Sequence, residues 1–334
     1  DVAAFKCGPD YIDPMFHREA LGVPSQNLDP FFCTGEQLRA QIAANGHALS
    51  VLEGAMGYYD GVGTGGQYSA FDVAHETKTP VILVVNAKGL YTSAGAMLQG
   101  FRTFRAGSGI RGVIFNGASP MLYGGLKQIA KDAGVRPLGF LPRDETLGIG
   151  SRHLGLITAG EIGDIREKLH ALGNLAERHL DLDGICTLAA DAPPLVSGQE
   201  KVNPIARVHI AVARDAAFCF LYQENLALLS ALGAELSFFS PLRDSALPAH
   251  VQGLYLPGGY PELHLAALSQ NASMREAVRR AIANGLPTVA ECGGFLYLHD
   301  TLDGLPMAHV IHAAAYPTEN LQRFGYVELT ARRD

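Results

Sequence analysis

Leu256-Pro-Gly-Gly-Tyr-Pro-Glu262 and Pro287-Thr-Val-Ala-Glu-Cys292-Gly-Gly-Phe-Leu-Tyr-Leu298 are the stretches on which the fold turns. The second runs from a short apolar segment into Cys292, two glycines and a helical apolar pattern. That order predicts a buried strand, a sharp turn carrying a thiol, and a helix. It is the layout of a nucleophile elbow with sulfur in place of a hydroxyl. Gly293 and Gly294 permit the turn because no Cβ obstructs it. A thiol at a helix N-terminus meets the positive end of the macrodipole, which favours thiolate. A buried, inert core cysteine is the ordinary alternative. The first stretch closes a strand at 251–256. Its Gly258-Gly259 pair suits either an oxyanion hole made of backbone N–H groups or a plain turn.

The same alternation extends outward. In the back half, strands are expected at 207–212 and 234–239 around a helix at 223–232. In the front half, continuous apolar runs predict strands at 2–5, 49–52, 80–85, 111–115 and 135–141. Helical spacing predicts helices at 35–45, 69–76, 92–104, 119–134, 161–179 and 183–189. Residues 326–329 read as an edge strand. Ser119 is expected to cap its helix, with Pro120 in the first helical position. Strand runs rich in β-branched residues and separated by helices imply parallel sheets covered on both faces. Residues 191–205 are rich in proline and polar side chains and lack periodicity, so they read as a linker. The expectation is therefore an α/β protein of two domains, 1–190 and 206–334.

The bulk properties narrow the function. The chain has 334 residues and a net charge of −7, which argues against nucleic acid or an anionic membrane as main partner. No apolar run reaches the ~20 residues of a spanning helix, and the start does not read as a signal peptide. Five scattered cysteines, none in a C-x-x-C pair, fit a reducing cytoplasm rather than a disulfide framework or zinc site.

Polar residues gather where strands of the front half should end. Lys6, Asp10 and Asp13 lie in the Gly/Pro-bounded segment after the first strand. Open α/β sheets bind ligands there, although most such loops are only polar turns. Glu53 ends another buried strand and is followed by glycines through Asp60. That arrangement suits Mg²⁺ held against nucleotide phosphates, or a solvated turn. Ser93 is a possible helix cap or phosphate-side hydroxyl.

FKCGPDYIDPMFH, SQNLDP, EGAMGYYDG, LPGGYPE and AECGGFLYL together resemble the cobyrinic/hydrogenobyrinic acid a,c-diamide synthases. The resemblance spans nearly the whole chain. It implies a dethiobiotin-synthetase-like ATP domain joined to a class I glutamine amidotransferase domain. It implies ATP-driven amidation, through acyl phosphates, of two acetate side chains of a tetrapyrrole, with Mg²⁺ and glutamine. In that reading Cys292 is the nucleophile, and Gly259 and Gly293 supply the oxyanion hole. Lys6 is the cation beside the transferred phosphoryl, and Asp29 and Glu53 hold Mg²⁺. Asp10, Tyr11, Asp13 and Asp60 face the tetrapyrrole, while Asn116 and Ser93 face the nucleotide. Asn86 stands where the family more usually has aspartate. A homodimer is expected. No G-x-x-x-x-G-K-[ST] occurs in the chain, and His264, His299, His309 and His312 do not sit in the family's partner-histidine motif. Both pieces are expected outside residues 1–334. Cobyric acid synthase, a nickel-tetrapyrrole diamide synthase, and a non-catalytic P-loop partition-like protein are the alternatives.

Overall fold

A computed structural model of the protein describes residues 1–148, 151–152, 155–156, 163–195, 202–319, 325–328 and 330. The chain divides into two compact units, Asp1–Lys201 and Val202–Asp334.

The first unit begins with β1 (Val2–Cys7), α1 (Ile12–Glu19), β2 (Ser25–Leu28), α2 (Gly35–Asn45), β3 (Leu49–Glu53) and α3 (Ala70–Thr77). The three strands form a parallel sheet in the order β2-β1-β3. Parallel neighbours need crossovers, and the helices supply them. A reciprocal capping box starts α2: Thr34 N donates to Gln37 Oε1 (2.9 Å), and Gln37 N donates to Thr34 Oγ1 (3.3 Å). The helix stops at Gly46. Leu38 and Ile42 of α2 and Val73 of α3 pack on Ala3, Phe5 and Leu28 of the sheet.

There follow β4 (Val81–Asn86), α4 (Ser93–Thr103), β5 (Ile110–Asn116), α5 (Pro120–Asp132) and β6 (Arg136–Leu141), then the short pair β7 (Ser151–Arg152) and β8 (Gly155–Leu156), α6 (Ile165–His179) and α7 (Leu182–Ala190). Strands β4-β5-β6 make a second three-stranded parallel sheet. Its one face buries Leu83, Val85, Val113 and Phe115 against Leu98 and Leu126 of α4 and α5. Leu188 of α7 packs on the other face against Ile114 and Leu138.

The second unit contains β9 (Val208–Ala213), α8 (Gln223–Ala231), β10 (Ala234–Phe239), β11 (Gly253–Leu256), α9 (Leu265–Gln270), α10 (Ala272–Ala283), β12 (Thr288–Ala290), α11 (Gly293–Tyr297), β13 (His299–Leu302), β14 (Leu305–Pro306) and β15 (Ile311–Ala315). Four parallel strands run in the order β10-β9-β11-β12, beside a small mixed sheet β14-β13-β15. Ala211, Leu254, Leu256, Leu268, Val278 and Tyr297 share its core.

The α/β class expected from the sequence is the one observed, and several local expectations change. Residues 326–328 take no strand, and residue 329 lies outside the described residues. The helix expected from 161 begins at Ile165; residues 161 and 162 lie outside the described residues. Ser93 is not a cap: Thr92 holds that position without a side-chain bond, in helical dihedrals rather than the extended ones a capping residue usually takes. Ser119 occupies the cap position with Pro120 just inside, but its side chain makes no capping bond. Residues 196–201 of the expected linker lie outside the described residues.

Candidate active site

In the first unit, the polar residues meet at the C-terminal ends of β1, β2 and β3. Parallel register places Asn27 and Glu53 on either side of Lys6. Lys6 is only 5% exposed, so its ammonium needs partners inside the protein. Its Nζ donates to Asp13 Oδ2 at 2.5 Å, lies 3.3 Å from Glu53 Oε1, and stands 4.0 Å from Asp10 Oδ2. Burial by itself lowers the Lys6 pKa. The Asp13 hydrogen bond and the charges of Glu53, Asp13 and Asp10 outweigh burial and raise it overall. Asp10 is pushed up by burial and by neighbouring Asp13, against the N–H groups it accepts from and the Lys6 charge. For Glu53, burial pushes upward, but the His17 hydrogen bond and the Lys6 and His17 charges hold it below the ordinary carboxylate value.

Each surrounding residue has a local reason for its place. Asp10 Oδ1 accepts from Ile12 N (2.8 Å) and Asp13 N (3.1 Å), which satisfies the start of α1. Tyr11 stands half-buried at that helix's cap position. Buried Asn27 donates to the Gly8 carbonyl (2.9 Å) and the Asp10 carbonyl (2.6 Å), pinning the loop after β1. Asp29 is buried just past β2 and accepts from Phe31 N at 2.9 Å. Asp60 is exposed and accepts from Gly57 N at 3.0 Å, so it shapes its own turn. Ser93 and Asn116 belong to the second sheet: Ser93 opens α4, and Asn116 ends β5 opposite Asn86.

His17 was not singled out from the sequence, yet it completes the cluster. Its Nε2 is 3.0 Å from Glu53 Oε2 and its Nδ1 is 3.0 Å from Ser25 Oγ. The signal was its i, i+4 spacing from Asp13 on one face of α1.

In the second unit, β11 and β12 pair with Leu256 opposite Ala290. Two residues beyond each partner come Gly258 and Cys292, and a Cβ on Gly258 would stand 3.2 Å from the Cys292 Cβ. Cys292 is exposed and has φ 45° and ψ −111°. Such a conformation costs a non-glycine residue about 1–3 kcal/mol and persists only where surroundings impose it. The surroundings are visible: Glu291 N donates to Leu256 O (3.0 Å), Gly294 N to Pro257 O (3.0 Å), and Leu296 N to Cys292 O (3.0 Å). Gly294 has to be glycine, because a Cβ there would collide with the Leu256 carbonyl. The strand, thiol turn and helix read from the sequence are thus present, with two corrections: β12 is not buried, Val289 being 58% exposed, and the positive φ falls on Cys292 rather than on Gly293 or Gly294. Helix α11 spans only Gly293–Tyr297, however, so the dipole behind the thiol is that of little more than one turn.

Gly259 N lies 3.2 Å from the position a Cβ on Gly293 would take. Neither the Gly259 nor the Gly293 N–H donates a hydrogen bond among the described residues. Two unengaged N–H groups beside an exposed, strained thiol form an arrangement that can hold an oxyanion as the thiolate attacks a carbonyl.

A strained cysteine elbow beside a Gly-Gly strand end, on a parallel α/β sheet, lies within residues 209–308, which match the CobB/CobQ-like glutamine amidotransferase domain and give the class. Cobyrinate a,c-diamide synthase of Clostridium acetobutylicum is 36% identical over 337 residues, covering 100% of this chain and 76% of its own length. The hydrogenobyrinate a,c-diamide synthase of Stutzerimonas stutzeri is 43% identical over 307 residues, 91% of this chain and 68% of the relative. The cobyrinate enzyme of Thermoplasma volcanium is 38% identical across 99% of this chain and 74% of the relative. The chain belongs to the a,c-diamide synthase family, whose members are amidating ligases. No solved structure matches it. Among the described residues, no helix is long and apolar enough to cross a membrane.

Proposed function

We infer that the protein amidates the a and c acetate side chains of cobyrinic or hydrogenobyrinic acid, taking nitrogen from glutamine and driving the reaction with ATP. The observation that carries this reading is the strained, exposed Cys292 set against Gly258-Gly259. Cys292 attacks the glutamine side-chain amide, forms a thioester and releases ammonia, with the N–H groups of Gly259 and Gly293 receiving the oxyanion. The acid partner is made reactive separately: a carboxylate is a poor electrophile, and phosphorylation turns it into an acyl phosphate that ammonia can attack.

The first unit supplies that activation. One lysine faces three carboxylates, Asp10, Asp13 and Glu53, leaving the cluster with surplus negative charge. A hard divalent cation suits such oxygen donors, and Mg²⁺ sites commonly use one or two carboxylates plus substrate phosphates. Glu53 and Asp29 would hold Mg²⁺, which would neutralise phosphate charge when bound. Lys6 stands beside the transferred phosphoryl group. Asp10, Tyr11, Asp13 and Asp60 orient the acetate groups, and Asn116 and Ser93 face the nucleotide. The same reading has a homodimer working in the cytoplasm; light scattering tests the dimer.

The decisive experiment is Cys292→Ala assayed with glutamine and with an ammonium salt. Amidation from glutamine is expected to vanish while amidation from ammonium persists. Equal loss of both, with the fold intact, would remove the separate glutaminase step.

A further inference from the structure

The elbow explains where the thiol stands, but not why the Gly258–Gly259 peptide faces it correctly. That peptide is held from its other side. Phe220 N donates to the Gly258 carbonyl at 3.1 Å. In a planar trans peptide the C=O and the following N–H point in opposite directions. Fixing the Gly258 oxygen on the Phe220 side therefore turns the Gly259 N–H toward Gly293 and the elbow. A flipped peptide would place a carbonyl lone pair where an oxyanion should sit. The loop before Phe220 also touches Gly259 directly, since a Cβ there would run into the Ala217 carbonyl oxygen. The Phe220 ring meets Tyr260 edge-on at 5.0 Å.

The loop is itself gathered by one carboxylate. Asp215 Oδ1 accepts from Ala217 N (2.9 Å) and Phe218 N (3.1 Å). Asp215 Oδ2 accepts from Ser240 Oγ (2.7 Å) and Leu242 N (2.9 Å), beyond the end of β10. Ala217 and Phe218 are both fully buried. We propose that Asp215 is a positioning residue for the glutaminase reaction: it fastens the 215–221 loop, through which Phe220 locks the Gly259 N–H toward the thiol. The proposal rests on the amidotransferase reading of Cys292.

Asparagine at 215 tests this without a change of size. Its amide nitrogen cannot accept, so either Ala217 N and Phe218 N or Leu242 N must lose its partner, while the Ser240 hydroxyl can turn to accept. In the full-length protein, Asp215→Asn is expected to lower kcat for glutamine hydrolysis about 10- to 100-fold, less than the ~10²–10³ of losing an oxyanion donor outright, while KM moves less than about threefold. Alkylation of Cys292 by iodoacetamide, which builds no oxyanion, should keep its wild-type rate. Ser240→Ala removes one of the four bonds and should lower kcat in the same manner by a few-fold. Unchanged kcat in Asp215→Asn, an effect confined to KM, or iodoacetamide rates falling in step with kcat would each overturn the proposal. Should Asp215→Asn fail to fold, Ser240→Ala decides, with unchanged kcat as the overturning result. A wild-type protein that does not hydrolyse glutamine would instead overturn the reading of Cys292.

Discussion

Cys7 and Cys292 carry the same sulfur in opposite surroundings. Cys7 is buried, and burial, more than any nearby charge, pushes its thiol up to about 12 from an ordinary 9.0. At pH 8 that leaves it about a thousandfold less ionised than a free thiol. Brief iodoacetamide treatment at pH 8 followed by peptide mass mapping should modify exposed Cys292 and spare Cys7 until the protein is denatured. Cys7 also gives a pH dependence. Between pH 9 and about 12 the folded state keeps a proton that the unfolded state releases, so stability falls as pH rises through that window. Cys7→Ala should flatten this alkaline decline in thermal melts, and an unchanged slope would place its origin elsewhere. Lys6 makes a larger prediction: Lys6→Met leaves Asp13 and Asp10 without their cation and Glu53 with His17 alone, and because these carboxylates are part-exposed it should cost about 1–3 kcal/mol in urea unfolding. A loss under about 1 kcal/mol would mean that water screens the cluster. Lys6, Asp10, Asp13 and Glu53 stood out in the sequence because carboxylates crowd the ends of apolar runs. Asp215 did not, because Ser240 and Leu242, its partners, are 25 and 27 residues away and mark no local pattern.

At the scale of elements, a strand or helix was legible wherever one short window carried the whole cause. The elbow is such a case: apolar residues, a cysteine and two glycines are contiguous, and Gly294 is required by the nearby Leu256 carbonyl. Gly294→Ala should therefore cost far more stability than an exposed glycine substitution, and thermal melts would show it. The capping box of α2 is local in the same sense, and Thr34→Ala should cost about 1 kcal/mol. Caps failed where residue type alone was the guide. Ser119 has the right type and place, but a capping bond also needs a particular rotamer, which its type does not specify. Residues 326–328 have the composition of a strand, but a strand exists only where a neighbour accepts its ladder bonds, and composition says nothing of that neighbour.

Over the whole molecule, each unit has its own buried cores, and the polar residues gather just past the C-terminal ends of parallel strands in both. Leu256 is fully buried, so Leu256→Ala should destabilise the second unit by about 2–5 kcal/mol. Hydrogen exchange should report faster opening in residues 208–302 with little change around β1 and β5. The partition of the first unit's strands into two sheets of three was not legible, since strand order is fixed by contacts between segments far apart in the chain. The left-handed backbone at Cys292 has one more consequence. Glycine would rest there at ease, so Cys292→Gly should raise the denaturation midpoint by the equivalent of about 1 kcal/mol even as it removes the thiol proposed as nucleophile. Stability that the scaffold could have is forgone at Cys292, the one of seven non-glycine residues with positive φ among the described residues that carries the proposed nucleophile.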